Sequence, residues 1–245
     1  MNEVLYYDLK EASGLTQSFA TDLACVLGRQ IVSGEYRPGD LIEDEQTLAE
    51  RHNVSRSVLR DGVKILVGKG LLEVRRGIGT RVRDRANWAL LDNDVLAWHQ
   101  SAPPRREFLN QLTELRSVIE PKAARWAAER ATQSDIDEIL VAQTQMECEE
   151  GSVKEFVIAD ALFHRSILRA ANNEFLEAME GVIYSALLSS IQLTTRDQSH
   201  NAKTIASHRL VYQAIADRDP DRAEAAMIDL LNVAKTRIKT EMKFI

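Results

Sequence analysis

The chain has 245 residues, enough for two compact domains, and with 44% hydrophobic and 28% charged residues it has the composition of a globular protein. It contains no apolar run near the roughly 20 residues that a membrane-spanning helix needs, and its charged N-terminus lacks the apolar core of a signal peptide, so we expect a cytoplasmic protein. Its two cysteines, Cys25 and Cys148, lie in different predicted segments, which argues against a disulfide framework or a zinc knuckle.

The net charge of −6 hides an uneven distribution along the chain. Residues 55–85 hold nine arginine and lysine residues against three acidic ones, a net charge of +6, which leaves −12 for the rest. A short basic block on an acidic body is typical of proteins in which one patch faces phosphate. The net charge therefore argues against a general nucleic-acid binder, while the basic block indicates one local surface that faces phosphate.

The N-terminal pattern predicts a winged helix-turn-helix. Helices are indicated over about 18–33 and 44–52, and a third begins at Ser55, which has the chemistry of an N-cap. We expect five apolar residues of this third helix to face inward: Val58, Val63, Ile65, Leu66 and Val67. Two short strands, 71–75 and 80–82, flank Gly77-Ile78-Gly79 and predict a β-hairpin wing.

Beyond the wing, the pattern predicts a mainly α protein with a second, all-helical domain. We place the DNA-binding domain at 1–84, a linker at 85–104, where the periodicity loosens around Pro103-Pro104, and the helical domain at 105–245. Its amphipathic stretches predict an antiparallel bundle, with helices over about 106–131, 134–149, 153–171, 174–195, 203–217 and 221–243.

The predicted recognition helix carries the residues expected to read DNA. Arg56 and Arg60 are four residues apart and share one face, where a guanidinium can make a bidentate contact with guanine, and Ser57 can serve a phosphate or a base. In the wing, arginines such as Arg76 lie beside Gly77, whose backbone can approach DNA closely. The alternative is a solvated, arginine-rich helix face with an ordinary hairpin.

An ordered set of motifs across this region resembles the GntR family of regulators: Ile31-Val32-Ser33-Gly34, Pro38-Gly39-Asp40, Leu48-Ala49-Glu50, Val54-Ser55-Arg56, Leu59-Arg60, Gly70-Leu71 and Gly77-Ile78-Gly79-Thr80-Arg81-Val82. The resemblance implies that the recognition helix and wing tip contact operator DNA through Arg56, Ser57, Arg60, Arg76 and Gly77. Two positions depart from the family pattern. Gln46 stands where an arginine that touches DNA is common, and Gly62 replaces the usual alanine inside the recognition helix.

The C-terminal half resembles the FCD ligand-binding domain of the FadR branch of that family, on the motifs Glu114–Pro121, Asp160–His164, His208 and Ala214-Ile215. The segments Trp88–Trp98 and Arg125–Ala131 are also similar to regulators of galactonate operons, which respond to a sugar acid. The resemblance implies an effector pocket for a small carboxylate.

Asp160 and His164 place a carboxylate and an imidazole on one helical face, a spacing that suits chelation of one metal ion. With His208 from another predicted helix, they are the expected floor of the effector pocket and the candidate ligands of a divalent ion such as zinc. The resemblance implies a further histidine from the last helix, but Leu230 stands there, so waters or effector oxygens would complete the shell. Each histidine can also be a satisfied core group with no ligand role.

Arg116 lies in a predicted helix with an apolar inner face, so an inward-facing guanidinium would need an anion. Two kinds of partner fit: the carboxylate of an effector, or an internal salt bridge to Glu114 or Glu120. Further candidates for binding effector hydroxyl groups are Gln192, Thr195 and Asn232.

Together these features predict a regulator that acts as a homodimer on a pseudo-palindromic operator, and the resemblance implies that it is a repressor of a sugar-acid or related carboxylate operon. Two alternatives stay open. One is a DNA-binding dimer whose helical half binds no effector. The other is a metal-dependent enzyme, because one carboxylate and two histidines form the ligand set of mononuclear iron oxygenases. We expect no enzyme, since no cofactor fingerprint or nucleophile motif accompanies the trio.

Overall fold

The structure is a computed structural model that describes residues 18–101, 106–148, 153–185, 188 and 201–241. The chain divides into two compact units at residue 103. Both are mostly helical, with one small sheet in the first, which confirms the predicted fold class. In the described part of the chain, no helix is both long and apolar enough to cross a membrane.

The N-terminal unit is a winged helix-turn-helix. Its elements are α1 (Phe19–Ser33), α2 (Glu45–His52), α3 (Arg56–Gly68), β1 (Leu72–Arg75), β2 (Gly79–Val82), a short 3-10 turn (Arg85–Asn87) and α4 (Asn93–Ser101). The strands pair antiparallel, with Leu72 opposite Val82. Between α2 and α3 the turn forms because Asn53 takes a left-handed conformation, at φ 51°, and the hydroxyl of Ser55 accepts from the N–H of Val58 at 3.3 Å.

The inner face of α3 differs from the predicted one. The structure buries Leu59, Gly62 and Leu66, which follow helical spacing, whereas Val67 is 39% exposed, so its predicted inward orientation is wrong. A Cβ atom on Gly62 would lie 3.1 Å from the carbonyl oxygen of Ala20 in α1. The glycine therefore lets α1 and α3 pack closely, which explains the departure from alanine at this position.

The segment predicted as a linker contains α4, and this helix packs on α1. Trp98 is only 2% exposed, and its ring fills the space beside Gly28, where a Cβ atom would lie 2.4 Å away. At the end of α3, the ammonium group of Lys69 lies 2.7 Å from a carboxylate oxygen of Asp92 and 2.6 Å from one of Asp94. Apolar packing and ion pairs thus join α4 to the N-terminal unit.

The C-terminal unit is a helical bundle. Its helices are α5 (Arg106–Arg130), α6 (Gln133–Met146), α7 (Val153–Ala170), α8 (Glu174–Ala178), α9 (residues 180–185), α10 (Asn201–Ala216) and α11 (Pro220–Glu241). The stretch predicted as one helix from residue 174 is interrupted by a turn at Met179. Helix α5 packs against α7, α10 and α11, and α6 packs against α7 and α10. This arrangement brings inward-facing residues of α5, α7 and α10 together.

Candidate functional site

The recognition helix α3 presents its predicted DNA-contacting residues to solvent. Arg56, Ser57 and Arg60 are all exposed, while Leu59 on the opposite face is buried in the core. The N-cap at Ser55 fixes the first turn, so these side chains start from a defined helix end. The arginine-bearing face is therefore accessible to a partner as large as a DNA duplex.

Both arginines are held by polar residues of α2. Nη2 of Arg56 donates to Oε1 of Gln46 at 3.1 Å, and Nε of Arg60 donates to Oε2 of Glu45 at 2.9 Å. These contacts lie at the surface, since the side chains of Arg60 and Glu45 are 61% and 51% exposed. An exposed ion pair of this kind is weak, and the arginine can exchange its partner readily for another acceptor, such as a phosphate or a guanine edge.

The wing adds a second basic surface. Arg76 and Gly77 are exposed at the tip, where Gly77 takes φ 79°. Behind the tip, a groove of about 320 Å³ is lined by three arginines of the hairpin's outer face, together with neighbouring acidic and polar residues. These arginines are Arg75, Arg81 and Arg83. Sequence reasoning found the basic hairpin but did not anticipate that these three side chains share one groove.

In the C-terminal unit, three predicted pocket residues meet in the bundle core. Oδ1 of Asp160 lies 3.0 Å from Nε2 of His208 and 3.3 Å from Nε2 of His164, and the two Nε2 atoms are 3.3 Å apart. All three residues are buried, and the rings of His164 and His208 both pack edge-on against Phe163. The spacing suits one shared ion, because ligands about 2.0–2.1 Å from a tetrahedral metal lie roughly 3.3 Å from each other.

The other nitrogen of each imidazole has an acceptor of its own. Nδ1 of His208 lies 2.7 Å from the carbonyl oxygen of Thr204, and Nδ1 of His164 lies 2.5 Å from Oε2 of Glu120. A carbonyl or carboxylate oxygen can only accept, so both Nδ1 atoms carry a proton. In the neutral rings, both Nε2 atoms then have lone pairs aimed at each other and at a carboxylate. A metal ion among these atoms would relieve their mutual repulsion, and the residues present fit a metal.

The pKa shifts follow from the same geometry. Burial alone would raise the pKa of Glu120, but the charges of Arg116 and His164 outweigh it and lower the pKa to about 2. Burial would likewise raise the pKa of Asp160, yet His208 and His164 lower it. For His164, burial would lower the pKa, and the carboxylates of Glu120 and Asp160 raise it. The site thus keeps its carboxylates ionised and attracts positive charge.

The remaining pocket candidates are placed differently. The anion that Arg116 requires is Glu120, whose Oε1 lies 2.5 Å from Nε of Arg116, so the structure contains the internal salt bridge among the two predicted alternatives. Leu230 is buried on α11, whereas Asn232 is exposed and outside the bundle core. Gln192 and Thr195 lie outside the described residues. The contact of Glu120 with His164 was missed, because tertiary packing alone brings α5 to α7.

Two family models match the chain. The model described as "Bacterial regulatory proteins, gntR family" covers residues 19–82, and the model described as "FCD domain" covers residues 111–233. The first match contains the helix-turn-helix and the wing, and the second contains the buried Asp160, His164 and His208.

Similar proteins are known from several bacteria. The galactonate operon transcriptional repressor of Escherichia coli is 32% identical over 218 residues, covering 89% of this chain and 95% of that protein. The transcriptional regulator LutR of Bacillus subtilis is 31% identical, and the match covers 81% of this chain and 91% of that protein. The Glc operon transcriptional activator of Escherichia coli is 27% identical, over 86% of this chain and 85% of that protein.

Solved structures share the fold at low sequence identity. The structure described as "Lar controls the expression of the Listeria monocytogenes agr system and mediates virulence" has a TM-score of 0.66 and 16% identity, and the match covers 93% of this chain and 99% of that one. Escherichia coli McbR/YncC has a TM-score of 0.55 and 16% identity, over 93% and 100%. The related sequences are transcription regulators, which confirms that class and sets the oxygenase alternative aside.

Proposed function

The chain belongs to the GntR family of bacterial transcriptional regulators, with an FCD domain behind its DNA-binding domain, and from this premise we propose that it is a repressor whose operator binding is controlled by a small acid. The operator is a pseudo-palindrome read by a homodimer, because two recognition helices related by a two-fold axis need symmetric half-sites. The acid is a sugar acid or a related carboxylate, the kind of compound named in the galactonate relative.

The proposed DNA interface consists of the exposed face of α3 and the wing tip. Arg56 and Arg60 contact base edges, Ser57 contacts a base or a phosphate, and Arg76 with the backbone of Gly77 enters the adjacent minor groove. Support comes from the exposure of all five residues and from the local net charge of +6 over residues 55–85. The arginines of the wing groove add phosphate contacts, which supply affinity without reading sequence.

The proposed effector site is the buried cluster of Asp160, His164 and His208. The observation that carries it is the convergence of three ligand atoms within 3.3 Å, with both histidines oriented from behind. These residues would hold a divalent ion such as zinc, and the ion when bound supplies a Lewis acid for oxygen ligands. With Leu230 on α11 in place of a fourth ligand, a carboxylate and its neighbouring hydroxyl can take the open positions.

The experiment combines a DNA-binding assay with a thermal-shift screen. Fluorescence anisotropy on a duplex from the protein's own promoter region is measured with zinc present, with and without galactonate. The acid should release the duplex, and it should raise the melting temperature, since a ligand at a hundredfold excess over Kd stabilises the fold by about 2.7 kcal/mol. A 2-deoxy acid, which lacks the hydroxyl beside the carboxylate, is the matched control and should act more weakly.

The possible outcomes distinguish the proposed function from its alternatives. Operator binding that no acid alters, together with an unchanged melting temperature, would favour a DNA-binding dimer without an effector. A promoter duplex that stays unbound at low salt would remove the DNA-binding proposal itself. If the acid tightens binding instead, the proposed release of the operator by the acid is wrong, and the protein is either an activator or a repressor that needs the acid as corepressor.

A further inference from the structure

Helix α5 places two opposite charges inside the bundle core. Arg116 and Glu120 lie one turn apart and are 4% and 1% exposed. Their contact is direct, with Nε of Arg116 at 2.5 Å from Oε1 of Glu120 and Nη2 at 3.5 Å from Oε2. A buried ion pair is rarely retained for stability alone, because an apolar pair of similar size often serves the fold as well. The pair therefore calls for a role beyond packing.

The two oxygens of Glu120 face different partners. Oε1 faces Arg116, while Oε2 lies 2.5 Å from Nδ1 of His164 on the neighbouring helix α7. A contact this short between a ring nitrogen and an ionised carboxylate oxygen is repulsive unless Nδ1 carries a proton, so the proton of the ring is placed on Nδ1. The lone pair of Nε2 then points toward Asp160 and His208.

We infer that Glu120, held in place by Arg116, is the positioning residue that orients His164 for a cation in the pocket. The inference rests on the proposed function, because it assigns these two residues to the same site. Arg116, considered from the sequence as a direct contact of the effector carboxylate, acts through Glu120 and His164. The chain of contacts runs from Arg116 through Glu120 and His164 to the point shared with Asp160 and His208.

The two histidines depend on this support unequally. His208 donates from Nδ1 to the carbonyl oxygen of Thr204, an acceptor supplied by the backbone of its own helix. His164 relies on a side chain from another helix. Without the carboxylate of Glu120, the ring of His164 can turn over or carry its proton on Nε2, which blocks the position that a metal needs. Loss of Glu120 should therefore weaken metal binding even though Asp160, His164 and His208 are all still present.

The test compares Glu120→Gln with Glu114→Gln, which removes the same charge from an exposed position of the same helix. Zinc affinity is measured on the full-length protein by competition with a chromophoric chelator at fixed pH, and the cobalt absorption spectrum reports ligand geometry. We expect a loss of roughly 10- to 100-fold in zinc affinity and altered cobalt bands for Glu120→Gln, and wild-type values for Glu114→Gln. In zinc-loaded wild-type protein, ¹⁵N spectra of the rings should show a proton on Nδ1 of His164.

A second variant guards against misfolding. Replacing both charges, in Arg116→Met with Glu120→Leu, leaves no unpaired charge in the core and should fold, yet it removes the support of His164. If it binds zinc as tightly as the wild type, or if Glu120→Gln does, the inference is overturned while the three-ligand site stands. If the wild type binds neither zinc nor cobalt, both the inference and the metal part of the proposed function fall. Operator binding, measured separately, decides whether the DNA-binding part survives.

Discussion

The ion pair between Arg60 and Glu45 allows a sharp test of the DNA interface. In the structure, Nε and Nη2 of Arg60 both lie 2.9 Å from Oε2 of Glu45. If Arg60 reads a base, it must leave this carboxylate when DNA binds. Glu45→Gln should therefore tighten operator binding, because it frees the guanidinium and removes a negative charge next to the phosphate backbone, whereas Arg60→Ala should weaken binding.

The size of both effects follows from exposure. Both side chains are more than half exposed, so water screens the ion pair. Breaking the pair with Glu45→Gln should therefore tighten operator binding by no more than about fivefold. An arginine that makes a bidentate contact with guanine discriminates by about 5- to 150-fold, and Arg60→Ala should lose that much on the operator. On a duplex of scrambled sequence the loss should be smaller, because only the phosphate contribution remains.

Anisotropy titrations at one fixed salt concentration provide the measurement, with Glu35→Gln as the control, since it removes an equal charge from an exposed position after α1. In the Arg60→Ala background, adding Glu45→Gln should tighten binding only by the factor seen for Glu35→Gln, because the arginine to be freed is gone. The reasoning is refuted if Arg60→Ala weakens binding to the operator and to the scrambled duplex by the same factor. It is also refuted if Glu45→Gln keeps its full effect without Arg60.

Four further substitutions test the fold that presents this interface. Gly28→Ala should lower the free energy of unfolding by about 1–2 kcal/mol, because the methyl group of the alanine meets a buried indole ring. Gly68→Ala has open space around it and should raise the free energy of unfolding by up to about 1 kcal/mol. Urea unfolding measures both. Ser55→Ala removes the N-cap of α3 and should cost about 1 kcal/mol in the same assay, and an unchanged midpoint would contradict the cap. Hydrogen bonds from the backbone and side chain of Thr47 lower the pKa of Asp44, so its contribution is present above the ordinary carboxyl pKa of about 4 and is lost as pH falls through the lower, folded value. The stability of Asp44→Asn relative to the wild type should therefore improve between pH 7 and pH 3, and a constant difference would argue against the shift.

The N-terminal elements were predictable because their signals are local. Ser55 caps α3 and Gly34 ends α1, each through contacts within a few residues. Helix α4 was missed for the opposite reason. Its stability depends on Trp98 fitting against Gly28, about seventy residues earlier, and no local pattern shows that match. The orientation of Val67 was misjudged because apolar residues lie on several sides of α3, and only the helical spacing of the buried Leu59, Gly62 and Leu66 shows which side faces inward.

The pocket, like the N-terminal unit, was predictable only where its signals are local. The spacing of Asp160 and His164 on one helical face is visible in the sequence, because residues four apart are neighbours on any helix. The place of His208 came from the resemblance to the FCD domain, since sequence distance says nothing about which helices meet. Glu120 was considered only as a partner of Arg116, and its second contact, with His164, depends on how α5 lies against α7.

The architecture of the cluster suggests how a small acid can change the state of a whole domain. A ligand shifts a conformational equilibrium only as far as it binds the two states unequally. Here the network draws on three helices: Asp160 and His164 of α7 and His208 of α10 share one point, and Glu120 of α5 contacts His164 from behind. Under the proposed function, an acid that completed the shell of a metal there would favour the arrangement in which all three helices are correctly spaced, and it would bind any other arrangement less well.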